Sequence, residues 1–334
     1  MVSAVIFVAT SCVSPLTGFA FWETNLAYEG ESIYNYLQVK NLSDRTILST
    51  NVLFGVQSVT MKDKGLTGMY YDTALAAPAL ADNANSALIL GMGTGTYARQ
   101  LKQYYPKMNI TGVEIDQKIT DLAGEYFDEP ADIPVTTYDG RAWLAASHDK
   151  YDVIMVDAYQ DITIPFQMSS TEFFTMVREH LNPGGVMVVN MNMISDGQGS
   201  INEALSDTIA SVFGNGNTLT ADVPNTTNRE LFAKKPGSGS EENSMQQASK
   251  ALNLRETTYE RTGSEDLEWY MGEVASRFRK VNEPDSASTI LTDDKAPVEV
   301  LGMHAIDQII ADEAGPYRQI LKDEGFGGLL RAVQ

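Results

Sequence analysis

The sequence predicts an α/β protein: a mostly parallel, doubly wound sheet preceded by a small antiparallel β unit. Three observations predict it. Between residues 28 and 60, β-forming side chains alternate with polar ones at the period of half-buried strands, as in Ser32-Ile33-Tyr34-Asn35-Tyr36-Leu37-Gln38-Val39. From Ser86 onward, short unbroken apolar runs alternate with helical stretches, the pattern of strands buried on both faces and joined by covering helices. A glycine loop, Gly91-Met92-Gly93-Thr94-Gly95, stands where the first of those strands gives way to a helix.

The chain has 334 residues, 43% hydrophobic and 20% charged, enough for one large or two modest domains with a buried core. Residues 1–22 carry no charged side chain, and 4–13 are almost wholly apolar. A span needs about 20 apolar residues, and here Pro15 and Gly18 interrupt the run. No basic segment marks a secretory signal. Three readings stay open: the end of a transmembrane helix, a weak membrane anchor, or a buried strand.

Residues 23–80 are expected to form an N-terminal β domain that closes with a helix over 70–80. Residues 81–235 are expected to hold the parallel sheet, with strands at 87–90, 110–115, 133–138, 151–157 and 186–190. Helices are expected at 97–105 and 171–181, then a turn at Pro183-Gly184-Gly185 and a closing pair of strands within 218–234. Residues 236–264 read as a flexible linker, because 236–249 is rich in Gly, Ser, Gln and Glu. Residues 265–334 read as a helical extension, with helices at 265–281 and 304–323.

Lys and Arg total 24 against 44 Asp and Glu, a formal net charge of −20. That balance opposes a phosphate-tracking nucleic-acid binder. It suits a small cationic substrate, and it equally suits plain solubility. The single cysteine, Cys12, excludes an internal disulfide and a cysteine-based metal cluster, and His148, His180 and His304 lie far apart, so no metal centre is expected.

The glycines at 91, 93 and 95 would let a ligand approach backbone at a helix start. Glu114 ends the next strand, 19 residues beyond Gly95, where a carboxylate can accept both hydroxyls of a ribose. The pairing indicates an adenosine-containing ligand. Asp139-Gly140 ends the third strand; the carboxylate could take an adenine amino group, or simply cap the following helix. Asp157 ends the fourth strand and should face whatever the nucleotide delivers, with Asp161 as a second acid in the loop beyond.

In order and spacing these residues resemble the spermidine synthase family of polyamine aminopropyltransferases. The resemblance runs from about residue 28 to 234 and includes Tyr34, Gly55-Val56-Gln57, the glycine loop, Val113-Glu114-Ile115-Asp116, Asp139-Gly140, Asp157 and the Pro-Gly-Gly turn. It implies a methyltransferase-like Rossmann fold behind a small N-terminal β domain. It further implies decarboxylated S-adenosylmethionine as donor, with Glu114 at the ribose, Asp139 and Gly140 at the adenine, Gln57 and Pro165 lining the nucleoside pocket, and Asp157 as general base. A cationic amine would then be walled by Tyr71, Asp72, Tyr159 and Asp161. Where the family's glycine loop carries an Asp for the aminopropyl amine, this chain has Thr94; where the family has Tyr-His/Gln-Glu, it has Tyr71-Asp72-Thr73.

The uncharged N-terminus and Thr292-Asp293-Asp294-Lys295-Ala296-Pro297-Val298-Glu299 resemble a bacterial branch in which such a domain follows membrane helices. That resemblance implies a cytoplasmic domain with membrane association, and family members are often homo-oligomers. Rival functions stay open at this level. Thr94 no longer opposes a donor carboxylate, which suits methyl transfer from intact S-adenosylmethionine; a non-catalytic nucleoside or polyamine sensor and a nicotinamide enzyme are further alternatives.

Overall fold

A computed structural model of the chain describes residues 23–51, 56–63, 65–128, 130–158, 164–191, 199–237, 254–286, 288–303 and 322. The apolar segment 1–22 and the helix expected at 304–323, apart from residue 322, lie outside the described residues. Four short strands, β1 (Leu26–Glu31), β2 (Tyr36–Asn41), β3 (Arg45–Thr50) and β4 (Ser58–Met61), pair antiparallel in chain order. Their alternation puts Leu37, Val39 and Leu48 on one face. That face packs on Ile119, Leu122 and Phe127 of the second unit, so the small sheet buries its apolar side against a helix rather than against itself.

The second unit is an eight-stranded sheet. Its parallel core is β5 (Ser86–Leu90), β6 (Asn109–Glu114), β7 (Val135–Thr137), β8 (Tyr151–Val156) and β9 (Leu181–Met191), in spatial order β7-β6-β5-β8-β9. Antiparallel β11 (Arg229–Lys234), β10 (Thr218–Asp222) and β12 (Arg279–Lys280) extend it beyond β9. Both faces are buried, as unbroken apolar strands require. Val153 and Met155 join Leu101, Met271 and Val274 on one face, while Ile154 and Val156 join Leu144, Phe173, Phe174 and Ile209 on the other.

Four elements differ from the sequence reading, one of them the helix expected at 265–281, which ends at Arg277 and is followed by the edge strand β12 at Arg279–Lys280. The helix expected over 70–80 is two short helices, α1 (Tyr70–Ala74) and α2 (Ala76–Leu80). Pro78 has no N–H to return to Ala74, whose carbonyl instead accepts from the Tyr97 hydroxyl at 3.0 Å. Pro183-Gly184-Gly185 is not a turn ahead of the strand but an irregularity inside β9: Tyr151 and Val153 of β8 face Leu181 and Val186, and Gly184 takes φ +76°. Within the stretch read as linker lies a helix, Leu254–Thr262, whose Leu254, Thr257 and Thr258 are buried. Its side chains carry almost no apolar periodicity, so nothing in the sequence marked it.

Candidate active site

In the parallel core the chain runs outward from β5 to β6 and β7, then returns to place β8 on β5's other side. The carboxyl ends of β5 and β8 therefore diverge at a topological switch point, which opens a crevice. A cavity of about 300 Å³ occupies it. A larger depression of about 680 Å³ lies elsewhere on the sheet, by Asp207, Arg229 and Arg279. It is open, and two of its cations, Arg229 and Arg279, are paired with Asp222.

Gly91, Gly93, Glu114, Asp139, Gly140, Asp157, Pro165, Gln57 and Tyr71 all line the crevice cavity. Gly91 is required by a close approach. It takes φ +88°, and a Cβ there would stand 2.3 Å from the Asp157 carbonyl oxygen, so the glycine loop can lie against the end of β8 only without a side chain.

Glu114 is buried and positioned by backbone: the Gly93 N–H donates to it at 2.8 Å and the Asp116 N–H at 3.0 Å. Burial raises its pKa above the usual value, and those two N–H groups oppose the rise. Asp139 plays the capping part the sequence allowed, accepting from the Ala142 N–H at 2.7 Å at the start of α5, the fifth helix after α3 (Thr96–Tyr104) and α4 (Gln117–Tyr126); α5 spans Gly140–Ala146. Capping and cavity lining coexist in this one side chain.

Asp157 is the most perturbed acid that opens to the cavity. The Tyr70 hydroxyl donates to one carboxylate oxygen at 2.6 Å and the Asn190 amide to the other at 2.9 Å. The Asn228 amide in turn donates to Asn190 at 2.9 Å. Burial pushes the Asp157 carboxyl up to about 7, against the two hydrogen bonds and with some help from the charge of Glu114. Tyr71 stacks beside Tyr70, ring centroids 4.0 Å apart, and donates to the Gln57 carbonyl at 2.9 Å.

Three expected site residues are elsewhere. Asp72 is fully buried away from the cavity, where it accepts from the Thr67 N–H at 2.9 Å, the Thr67 hydroxyl at 2.8 Å, the Gly68 N–H at 2.7 Å and the Gln100 amide at 2.5 Å. Its charge is consumed in closing the 67–69 turn onto α1. Thr94 is fully buried and does not line the cavity, with a hydroxyl that has no hydrogen-bond partner among the described residues. Gly95, at φ +78°, caps the start of α3 rather than lining the cavity. Tyr159 and Asp161 lie outside the described residues.

Tyr70, Asn190, Asn228 and Glu230 escape the sequence reading. Glu230 pairs across strands with Asn190 and is fully buried, with neither carboxylate oxygen partnered among the described residues. Burial, and then the charge of Asp157, push its pKa well above the usual value. The signal was present: Asn190 ends an apolar run on the strand beside the one Asp157 ends, and Glu230 interrupts a buried strand. Among the described residues, no group of three or more His, Cys, Asp or Glu side chains is arranged to hold a metal ion, and no helix is long and apolar enough to cross a membrane.

Fold and cavity define a doubly wound α/β protein with its binding crevice at the switch point and a half-buried acid, Asp157, in its lining. Residues 69–235, half of the chain, match the spermine/spermidine synthase domain, and the chain belongs to that family. It is 99% identical over its whole length to a "Probable polyamine aminopropyl transferase" of Bifidobacterium longum, of which it spans 75%. A "Polyamine aminopropyltransferase" of Vibrio vulnificus is 28% identical over 60% of this chain and 69% of its own. Among solved structures, a probable spermidine synthase from Corynebacterium glutamicum superposes with a TM-score of 0.55 at 22% identity, over 80% of this chain and 99% of that one. A spermidine synthase in complex with the transition-state analogue AdoDATO gives 0.54 at 17% identity, over 74% of this chain and 88% of that one.

Proposed function

We propose that the chain transfers the aminopropyl group of decarboxylated S-adenosylmethionine to a small cationic amine, a polyamine or diamine. Family membership and the names of its relatives support the reaction class, as does a structural neighbour bound to AdoDATO. The observation that carries the reading is Asp157, a carboxylate lining a cavity of about 300 Å³ and held there by the Tyr70 hydroxyl and the Asn190 amide, with its carboxyl pushed up to about 7 by burial.

In this reading the backbone at Gly91 and Gly93 admits the donor, Glu114 accepts its ribose hydroxyls, and Asp139 with Gly140 takes the adenine. Gln57 and Pro165 line the nucleoside end, and the Tyr71 ring faces the sulfonium and ammonium charges, which it can stabilise through its π face. The amine nitrogen attacks the methylene carbon attached to sulfur. A C–N bond forms as the C–S bond breaks, and sulfur keeps the electron pair, leaving neutral methylthioadenosine. The proton released by the ammonium passes to Asp157. An alkylammonium holds its proton up to about pH 10 in water, so a nearby carboxylate that favours protonation near neutrality is what the step needs. Alignment of nitrogen, carbon and sulfur supplies the rest, an effect worth up to about 7–11 kcal/mol.

Methyl transfer drew its support from Thr94, which does not line the cavity, so it is not advanced as a second reading. The test is mass spectrometry of products from purified protein with decarboxylated or intact donor and a panel of di- and polyamines. Amine-dependent methylthioadenosine with an aminopropylated acceptor is expected; S-adenosylhomocysteine would sink the reading.

A further inference from the structure

The part of the chain after residue 235 lies beyond the stretch that matches the family domain, yet one of its side chains reaches the wall of the cavity. Arg141 follows Gly140 in α5. One of its guanidinium nitrogens donates to the Gln167 carbonyl at 2.7 Å and to one oxygen of Asp293 at 2.7 Å; the other donates to the second Asp293 oxygen at 2.6 Å. The Ser170 hydroxyl donates to the same carboxylate at 2.5 Å. A single carboxylate thus joins the two elements that wall one end of the cavity, the start of α5 and the segment 165–170, whose Pro165, Gln167 and Met168 line it.

Asp293 is itself firmly held. It sits in a turn closed by reciprocal backbone bonds between Thr292 and Lys295, at 3.0 and 2.9 Å. Just before that turn, the Leu291 carbonyl accepts from the Thr171 N–H at 2.9 Å and the Leu291 N–H donates to the Thr208 hydroxyl at 2.9 Å. Leu291 and Val298 are fully buried in the same apolar cluster as Met168. The segment 165–170 has little regular structure of its own, one 3₁₀ turn over Phe166–Met168, so its wall position depends on such ties. A bidentate guanidinium–carboxylate pair fixes orientation as well as distance.

We infer that Asp293 is a positioning residue for donor binding: through Arg141 and Ser170 it holds Gly140 and Gln167 at the separation that accepts the adenine. The inference deepens the proposed function and rests on its nucleoside site. A wall fixed in advance spares the donor the cost of ordering it. The acceptor, bound on the Asp157 side, gains nothing from this tie.

The test is Asp293→Asn in the full chain, which keeps the shape and removes the charge. Calorimetric titration with methylthioadenosine and steady-state kinetics with each substrate varied are the readouts. Donor KM and the methylthioadenosine Kd are expected to rise by up to about fivefold, with amine KM and kcat at saturating donor unchanged. Arg141→Lys, which cannot make the bidentate pair, should give the same split. If Asp293→Asn proves insoluble, Ser170→Ala removes one bond to the same carboxylate and should raise the same Kd by a smaller factor. Unchanged methylthioadenosine affinity in soluble variants overturns the inference alone. Wild-type protein that binds no methylthioadenosine overturns the nucleoside site and the inference with it.

Discussion

The Tyr70 hydroxyl donates to Asp157 at 2.6 Å, across 87 positions of sequence, and so ties the first short helix to the end of the fourth parallel strand. The bond favours the ionised carboxylate, while burial favours the neutral acid and wins, leaving the group near 7. A base acts only when deprotonated, so kcat/KM should rise with pH through an apparent pKa near 7. Tyr70→Phe removes a bond that lowers this pKa, and the rising limb should move to higher pH. Asp157→Asn should abolish the limb and cost about 10²–10⁴ in rate. An unshifted profile in Tyr70→Phe would separate the tyrosine from the base.

Gly91 sets how closely the donor loop can approach that base. In Gly91→Ala the new Cβ would meet the Asp157 carbonyl at 2.3 Å, and the φ of +88° disfavours any L side chain. The variant should lose about 1–3 kcal/mol of stability from the backbone alone, and because the strand end must shift, kcat should fall further than the loss of folded protein explains. Thermal melts alongside activity normalised to folded protein would measure both.

The sheet was legible because buried parallel strands must be continuously apolar, and Glu114, Asp139 and Asp157 because the carboxyl ends of such strands face the crevice. Asp72 was misplaced because a motif position carries no information on whether a carboxylate points to a ligand or to its own turn. Tyr70 was out of reach for a different reason: its meeting with Asp157 is long-range, fixed by helix packing rather than by spacing. Asp293 lies 152 residues from Arg141, and only the folded chain brings them together.

The placement of Asp72 gives a prediction that separates structure from binding. Asp72→Ala would strand the Thr67 N–H and the Gln100 amide in a buried setting. Each unsatisfied buried group costs about 1–3 kcal/mol, so the melting temperature should drop markedly. The amine KM of the protein that remains folded should match wild type. A raised amine KM with unchanged stability would return Asp72 to the acceptor site.

Glu230 makes a prediction about pH and stability. Its folded carboxyl keeps a proton well above the pH at which the unfolded chain, near 4.5, releases it. Over that window the folded state binds more protons than the unfolded one, so stability is full at low pH and declines as pH rises toward the folded value, by up to about 1.4 kcal/mol per pH unit for a single group. Asp157 adds a decline of the same sign that ends near pH 7. Glu230→Gln imitates the neutral acid and cannot ionise, so it should remove Glu230's share of the decline at every pH above the unfolded value and keep only the share from Asp157, which ends near pH 7. Denaturant unfolding of both proteins across pH 5–9 measures this. A Glu230→Gln protein whose stability declines with pH as steeply as that of the wild type would mean that Glu230 is already ionised when folded, with a cation or hydrogen-bond donor beside it.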